Sequence, residues 1–275
     1  MNIIKKYMFI FKNEGLKGIL KKLKVITKKI FKRYILFKSK IQDYKVYQEL
    51  FLNKSGLEIG GPSSIFTKNG KLPLYPVIKN LDNCNFTNNT IWQGHIKQGK
   101  NYRYEKDKLG YQFICEGTNL SKIVSESYDF VISSNVLEHI ANPLKAIKEW
   151  LRIIKINGIL LLIIPNKNDN FDHNRPLTSF NHLILDFEND IQEDDLTHID
   201  EILKLHDLSK DPPAGNFEQF KKRSLKNYEN RTLHHHVFDL RLLQKIYKFF
   251  NLKILLMNDI ESDFIIVGAK RYPSF

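Results

Sequence analysis

The chain has 275 residues, with 43 Lys and Arg against 30 Asp and Glu, which gives a formal net charge of +13. This length suffices for one α/β domain with an insertion, and two cysteines are too few for a disulfide scaffold. No apolar run approaches the ~18 residues of a membrane span, and no secretory signal is visible. The cytoplasm is therefore the expected compartment.

Nearly all of the net charge lies in residues 1–45, where 14 Lys and Arg face only Glu14 and Asp43. Apolar side chains recur there at helical spacing, and lysines occupy the other side of the helix. An apolar stripe beside a lysine face is typical of helices that bind an anionic membrane surface. The stripe consists of Leu16, Ile19, Leu20, Leu23, Ile26, Ile30, Tyr34 and Phe37.

We predict that residues 1–45 form a basic amphipathic helix that binds the anionic membrane surface. Packing of this helix against the rest of the chain is the second interpretation. Nucleic-acid binding ranks third, because stacking aromatic residues are not interleaved with the basic ones.

The first strand signal is residues 56–61, Gly-Leu-Glu-Ile-Gly-Gly, in which an apolar run holds a carboxylate and ends in paired glycines. Residues without a Cβ let the backbone approach a ligand closely at a tight turn. Gly-Gly-Pro is also an ordinary turn, so this pattern needs a second signal.

The second signal begins with a short apolar strand, Phe130–Ile132, and a polar strand end at residues 133–135. Residues 136–153 then predict a helix, and residues 158–165 predict a strand that is apolar on both faces, as a covered parallel sheet requires. The apolar positions at helical spacing are Leu137, Ile140, Leu144, Ile147, Leu151 and Ile154.

Together these segments resemble the class I S-adenosylmethionine-dependent methyltransferases, from about Phe51 to Pro165 and again after about residue 233. The resemblance implies an α/β fold with a Rossmann-like, doubly wound, mostly parallel seven-stranded sheet. It also implies S-adenosylmethionine as the cofactor. The chain departs from the family's Glu-x-Gly-x-Gly-x-Gly pattern where Pro62 and Ser64 replace the later glycines.

The resemblance assigns the first motif to Glu58, Gly60 and Gly61. In the family, this carboxylate lies near the methionine amino group and the glycine turn passes under it. We therefore expect all three residues to bind the cofactor.

Three further residues match cofactor positions of the family. Asp82 matches the acid that binds the ribose at the end of the second strand. One carboxylate can accept hydrogen bonds from both ribose hydroxyls, which explains an acid at this position. Glu116 matches the acid that faces the adenine amine, and Asn135 lies where the fourth strand opens toward the cofactor. Glu138 and His139 match a frequent Leu-Glu-His helix start, where we interpret Glu138 as a helix cap.

Residues 166–233 form an insertion rich in acids and histidines. It leaves the sheet at the carboxyl end of a core strand, the edge where open α/β sheets bind ligands, so we expect it to cap the substrate side. The predicted organisation is a helical segment 1–45, a methyltransferase core of 46–165 and 234–275, and a lid of 166–233.

The last part of the chain predicts the remaining elements of the sheet. Residues 239–250 carry apolar side chains at helical spacing, and two strand signals follow at 252–257 and 264–269. These match the last helix and the last two strands of the family.

Methylation of a hydroxyl requires a group that accepts its proton, and histidine suits that role. We predict that the catalytic residues are His198, with Asp194 beside it, and His234, with His236 as a further rival. A divalent metal held by acids and histidines is a second possibility, and charged surface groups a third. No metal ligands are assigned.

The sequence therefore predicts a methyltransferase that methylates a hydroxyl of a sugar or glycolipid precursor at the cytoplasmic face of the membrane. Methylation of a lipid-like quinone or polyprenyl acceptor is the alternative within the enzyme class. A third interpretation is a non-catalytic membrane- or partner-binding protein that retains the cofactor fold.

Overall fold

The computed structural model describes residues 40–272. The predicted amphipathic helix therefore lies outside the described residues, apart from its last six positions. No helix within residues 40–272 is long and apolar enough to cross a membrane.

The main sheet has eight strands in the order β5-β6-β2-β1-β7-β8-β10-β9. Pairs from β6 through β8 are parallel, whereas β10 is antiparallel to both β8 and β9. The strands are β1 Ser55–Ile59, β2 Asn80–Asn85, β3 Asn89–Thr90, β4 Gly94–His95, β5 Gly99–Glu105, β6 Lys108–Ile114, β7 Tyr128–Ser134, β8 Ile154–Pro165, β9 Lys253–Ile260 and β10 Asp263–Ala269.

This topology confirms the predicted doubly wound, mostly parallel α/β fold, but the sheet has one strand more than predicted. The added strand is β5, which folds back on β6 as an antiparallel hairpin and forms the edge of the sheet. Strands β3 and β4 form a separate two-stranded ribbon.

Helices cover the sheet and build the inserted region. The α-helices are α1 Tyr44–Phe51, α2 Pro143–Ile153, α3 Phe180–Glu188, α4 Ile199–Leu205, α5 Phe217–Ser224, α6 Asn227–Asn230 and α7 Leu240–Phe249. The last of these matches the helix predicted over 239–250, and the Asp239 side chain caps it by accepting from the Leu242 amide.

The helix predicted over residues 136–153 is divided in the structure. Leu137–His139 forms a 3-10 turn, and α2 starts only at Pro143. Proline suits the first helical position because it has no N–H to donate, and Asn142 before it accepts from the Lys145 amide. The turn therefore separates Glu138 and His139 from the helix, so the helix-cap interpretation of Glu138 is wrong.

Two apolar layers cover the faces of the sheet. Along β7, Val131 packs into one layer and its neighbours Phe130 and Ile132 pack into the other, as strand alternation requires. Helices α2 and α7 contribute to the first layer, and α1 with the loop between β1 and β2 contributes to the second. That loop contains a 3-10 turn, Ser64–Phe66, where many open α/β folds place a helix.

The inserted region has a small apolar core of its own, made by Ile202, Ala214, Phe220 and Leu233. Its first helix, α3, also contributes Leu183 to the main core. The insertion is thereby fixed over the carboxyl ends of the strands. The domain boundaries at 45, 165 and 233 stay a prediction.

Candidate active site

A cavity of about 710 Å³ opens at the carboxyl ends of the central parallel strands. Gly60 follows β1, Asn85 ends β2, Asn135 follows β7 and Pro165 ends β8, and all four line the cavity. This is the edge at which open α/β sheets bind ligands. The volume lies within the range of cofactor and ligand pockets.

Gly60 forms the turn that follows β1. Its φ is +79°, a conformation that favours glycine, and a Cβ at this position would lie 2.5 Å from Cγ2 of Val136. The backbone therefore passes close to the start of the turn after β7. Gly61 lies outside the cavity lining, where its N–H donates to Oδ1 of Asn83 at 2.9 Å.

Glu58 is fully buried and also lies outside the cavity lining. The Ser63 amide and hydroxyl donate to Oε1 at 3.1 and 2.6 Å, and the hydroxyls of Tyr75 and Tyr102 donate to Oε2. Burial raises the pKa of Glu58, and these hydrogen bonds oppose the rise. The structure thus places Glu58 as an anchor of the glycine loop, in contrast to the expected direct contact with the cofactor.

Asp82 lies in the middle of β2, whereas the prediction placed it at the strand end. Its Oδ1 accepts from the Tyr111 amide and its Oδ2 from the Tyr128 hydroxyl, both at 2.7 Å. The strand continues to Cys84 and Asn85, and both of these residues line the cavity. Sequence reasoning missed Asn85 because β2, Asn-Leu-Asp-Asn-Cys-Asn, is too polar to reveal its end by hydropathy.

Glu116 lines the cavity beyond the end of β6, and an arginine from the insertion binds it. Arg231 donates from Nη2 to Oε1 of Glu116 at 2.7 Å and from Nη1 to Oε2 of Glu193. Its guanidinium also lies 5.0 Å from the ring centre of Phe86. Burial raises the pKa of Glu193 to about 7, with Arg231 opposing the rise. Arg231 was not predicted, because its partners are distant in sequence.

Glu138 and His139 point into the same cavity from the 3-10 turn after β7. Glu138 is buried, and neither of its carboxylate oxygens has a hydrogen-bond partner among residues 40–272. Burial raises its pKa to about 7, and the nearby His234 opposes the rise. Nδ1 of His139 lies 3.0 Å from the Leu233 carbonyl oxygen, which orients the ring.

His234 completes this group from the insertion side, because its Nδ1 lies 2.5 Å from Oδ2 of Asp172. Asp172 also accepts from Nη1 of Arg175 at 2.9 Å. Burial alone would lower the pKa of His234, but the Asp172 carboxylate outweighs burial and the pKa is raised. Glu138, His139 and His234 each offer one ligand atom within 4.8 Å of the others. The group can therefore hold a proton or a cation beside a bound molecule.

The predicted pair of His198 and Asp194 does not assemble at the cavity. His198 stands at the start of α4, outside the cavity lining, with its Nε2 3.0 Å from Nε2 of His182. Burial and then the neighbouring His182 lower the pKa of His198. Asp194 is exposed. His198 is the N-cap residue of α4, which begins at Ile199, and its ring faces His182 on α3 and the segment 234–236.

The residues at the strand ends suit a nucleotide-type cofactor. Gly60 leaves room that a Cβ would fill, and Asn85, Glu116 and Asn135 present polar side chains around the same cavity. The strand order and these residues fit the class I S-adenosylmethionine-dependent methyltransferase fold that the resemblance implies, with S-adenosylmethionine as the cofactor.

Comparison with known families agrees with this class. Residues 74–162 match the family model described as a methyltransferase domain, which spans β2 to most of β8. This match, over less than half of the chain, supports an S-adenosylmethionine-dependent methyltransferase. No curated protein matches the sequence.

Several solved structures are similar to this chain. One is a methyltransferase from Aquifex aeolicus, 12% identical, with 83% of this chain and 89% of that chain covered and a TM-score of 0.40. The N-methyltransferase NodS from Bradyrhizobium japonicum is 12% identical, with 83% and 94% covered and a TM-score of 0.41. A methyltransferase from Methanosarcina mazei is 15% identical, with 85% and 100% covered and a TM-score of 0.46.

Proposed function

We propose that the protein methylates a hydroxyl group of a sugar or glycolipid precursor. The observation that carries the proposal is the hydrogen-bonded pair of Asp172 and His234 beside the buried carboxylate of Glu138, with His234 and Glu138 both lining the cavity. A hydroxyl is nearly un-ionised at neutral pH, so its methylation needs a positioned proton acceptor.

On the donor side, Gly60, Asn85, Glu116 and Asn135 are the residues that would hold the cofactor. S-adenosylmethionine supplies a methyl group that is activated by a positive sulfonium. The side chains of the cavity orient the acceptor, and positioning supplies much of the catalysis in such displacements.

On the acceptor side, His234 receives the hydroxyl proton. Its Nδ1 is bonded to Asp172, which fixes the tautomer and leaves Nε2 for the substrate. Arg175 fixes the backbone of His234, because its buried guanidinium also donates to the carbonyl oxygens of His234 and His235 at 2.7 and 3.2 Å. Glu138, whose carboxylate oxygens have no hydrogen-bond partner within residues 40–272, would accept hydrogen bonds from further hydroxyls of the acceptor.

The polar side chains that line the cavity favour a polar acceptor over a quinone or polyprenyl lipid. Amide, carboxylate and imidazole side chains from both the sheet and the insertion face it, and Trp92 contributes an aromatic face beside His139 at a ring distance of 5.5 Å. Sugar rings present both hydroxyls and an apolar C–H face. The polar lining includes Asn85, Gln93, Glu116, Asn135, Glu138, His139, Asn170, Arg231, His234 and Asp263.

The acceptor class is tested by incubating the protein and isotopically labelled S-adenosylmethionine with sugar and lipid extracts. Mass spectrometry should find the label in an O-methyl ether of a sugar or glycolipid. Label in a quinone or polyprenyl fraction instead would overturn the acceptor assignment. No label transfer, together with no cofactor binding by calorimetry, would favour the non-catalytic interpretation.

The role of His234 is tested with His234→Ala. Loss of a positioned base costs about 10²–10⁴-fold in rate, while cofactor affinity should hold. His173→Ala is the matched control, because His173 is also in the insertion but pairs with Asp207 away from the cavity. An unchanged rate in His234→Ala would remove His234 as the base.

We also propose that residues 1–45 hold the enzyme at an anionic membrane surface on the cytoplasmic side. The support is the charge of this segment and its apolar stripe, since each cation near an anionic leaflet contributes about 1 kcal/mol. Replacing Lys17, Lys21, Lys24, Lys28 and Lys32 by Gln should abolish sedimentation with phosphatidylserine vesicles. The control replaces five exposed lysines of the folded body, Lys68, Lys79, Lys97, Lys106 and Lys122. Equal losses in both variants would contradict a dedicated anchor.

A further inference from the structure

Three histidines meet outside the cofactor cavity, where the insertion packs on the segment that returns to the core. His182 lies in the first turn of α3, His198 stands at the start of α4, and His236 belongs to the returning segment. Each offers one ring nitrogen within 4.8 Å of the others. The ring centroids are 4.9, 5.5 and 5.7 Å apart, so the three imidazoles surround one point.

The hydrogen bonds of His236 leave one nitrogen free. Its Nε2 lies 3.0 Å from the Ala141 carbonyl oxygen and donates to it, so Nδ1 carries a lone pair. This Nδ1 is buried and has no hydrogen-bond partner in the part of the chain that the structure describes. A ligating histidine almost always donates its other ring N–H to a carbonyl or a carboxylate, and the bond from Nε2 to Ala141 would fill this role with Nδ1 as the ligand.

The contact between the other two histidines also fits convergence on a cation. Nε2 of His182 and Nε2 of His198 are 3.0 Å apart. A hydrogen bond between His182 and His198 would also explain this short distance. It would not provide a partner for Nδ1 of His236, and a buried polar atom without a partner costs free energy.

Asp186 supplies a negative charge beside the three rings. It is four residues after His182 on α3, which places both side chains on the same face of that helix. Its Oδ2 lies 3.3 Å from Nε2 of His182 and 3.7 Å from Nε2 of His236. This oxygen is buried and lacks a hydrogen bond within residues 40–272.

We propose that His182, His198 and His236 bind a divalent transition-metal ion, with Zn²⁺ as the best match, and that Asp186 offsets its charge. Three imidazoles suit Zn²⁺, which binds histidine nitrogens in a tetrahedral arrangement and tolerates an open fourth position. About a third of the His182 side chain is exposed, so an ion can enter from solvent.

The ion would stabilise the packing of the insertion against the core. It joins α3 and α4 of the insertion to the returning segment, two residues from His234, and so fixes the lid in place over the cavity. Because the bound ion favours the folded state, Zn²⁺ should raise the thermal unfolding temperature of the protein in a concentration-dependent way.

The test uses full-length protein that has been stripped with a chelator and re-equilibrated with Zn²⁺ alone. Elemental analysis should find about one equivalent bound, and substitution with Co²⁺ should give the visible absorption of a tetrahedral nitrogen-ligated ion. No bound metal, or a Co²⁺ spectrum of a six-coordinate ion, would overturn the proposal.

Variants locate the ion. His182→Ala and His198→Ala should each weaken Zn²⁺ binding by more than the ~10–100-fold that loss of a supporting hydrogen bond costs. His173→Ala should bind normally, since His173 lies in the same insertion and pairs with Asp207. His234→Ala reports on the separate cavity group of Glu138, His139 and His234. Loss of the metal in His234→Ala, with normal binding in His198→Ala, would place the ion in the cavity and refute this site. Circular dichroism verifies that each variant is folded.

Discussion

Gly60 is the residue on which the donor side of the site depends. Its amide donates to the Cys84 carbonyl oxygen at 2.9 Å, and its positive φ turns the chain away from β1 directly over the sheet edge. Val136, from the turn after β7, packs against the space where a side chain would project. The turn therefore keeps two neighbouring strand ends close together.

Gly60→Ala should lower both stability and cofactor affinity. A Cβ in the left-handed region costs roughly 1–2 kcal/mol, and contact with Val136 adds to this. Thermal unfolding and calorimetric titration with S-adenosylmethionine measure the two effects. Gly117→Ala is the control for stability, because a Cβ there meets its nearest atom at 3.6 Å without a positive φ. Equal unfolding temperatures for the two variants would contradict the argument.

At the scale of single residues, the sequence predicts which residues lie near the strand ends better than it predicts which way their side chains point. Gly60, Glu116 and Asn135 line the cavity, whereas the carboxylates of Glu58 and Asp82 accept hydrogen bonds from side chains of the sheet and its loops. In β1, Leu57 and Ile59 face one apolar layer, so Glu58 between them must point to the other face, where Tyr75 and Tyr102 lie. That alternation could have been read from the sequence. The hydroxyl partners could not, because they come from distant loops and strands.

At the scale of elements, Asn142 connects the core to the insertion. Its Oδ1 caps α2 by accepting from the Lys145 amide at 3.1 Å, and its Nδ2 donates to the Asp186 carbonyl oxygen on α3 at 2.8 Å. The side chain is fully buried. One amide thus satisfies a helix terminus and a helix of the insertion at the same time.

Asn142→Ala should destabilise the protein by roughly 2–4 kcal/mol, since it removes a helix cap and leaves buried backbone groups unpaired. Urea unfolding measures the change. Asn216→Ala is a matched control, because Asn216 caps α5 in a capping box but is exposed, so water can replace its hydrogen bonds. A loss in Asn142→Ala no larger than that in Asn216→Ala would show that its contact with α3 contributes nothing.

Helices and strands were predictable where the local sequence pattern determines the secondary structure. The apolar strand at residues 158–165 and the helix at 239–250 appear nearly as predicted. The Asn142-Pro143 pair signals a helix start, which explains why the predicted helix 136–153 begins too early. The hairpin of β5 and β6 has polar, tyrosine-rich strands, so its hydropathy pattern gives no warning of an added edge.

On the scale of the whole molecule, the fold and cofactor class follow from the sequence, but the acceptor side does not. The two apolar layers and the strand order are encoded in long apolar runs. Whether His198 or His234 reaches the cavity depends on how the insertion packs, which involves contacts more than 30 residues apart, such as that between Asp172 and His234. In the sequence the histidines form one group by composition. In the structure His234 belongs to the cavity, whereas His182, His198 and His236 form a separate cluster.

The stability of the whole molecule should depend on acid pH through Asp172. Burial would raise the pKa of Asp172, but His234 and Arg175 outweigh burial and lower it to about 2. A lowered folded-state pKa means that the ionised carboxylate stabilises the fold above the unfolded value near 4. This stability, about 2 kcal/mol, is lost as the pH falls toward 2.

Unfolding free energies measured between about pH 2 and pH 5 should thus fall more steeply in the wild type than in Asp172→Asn. Asp194→Asn serves as the control, because Asp194 is exposed. Parallel pH curves for the wild type and Asp172→Asn would show that the carboxylate is not ionised in the folded protein at low pH.

The three consecutive histidines at 234–236 have a consequence for engineering. His234 faces the cavity, His235 bonds to Asn227 at 2.9 Å, and His236 joins the cluster with α3 and α4. Leu233 just before them packs in the core of the insertion, whereas Phe238 just after them packs in the core of the sheet. The insertion is therefore not a portable module. A chimera spliced at the 233/234 boundary would combine histidines from one parent with partners from the other, so a working transplant must carry residues 166–238 as one piece.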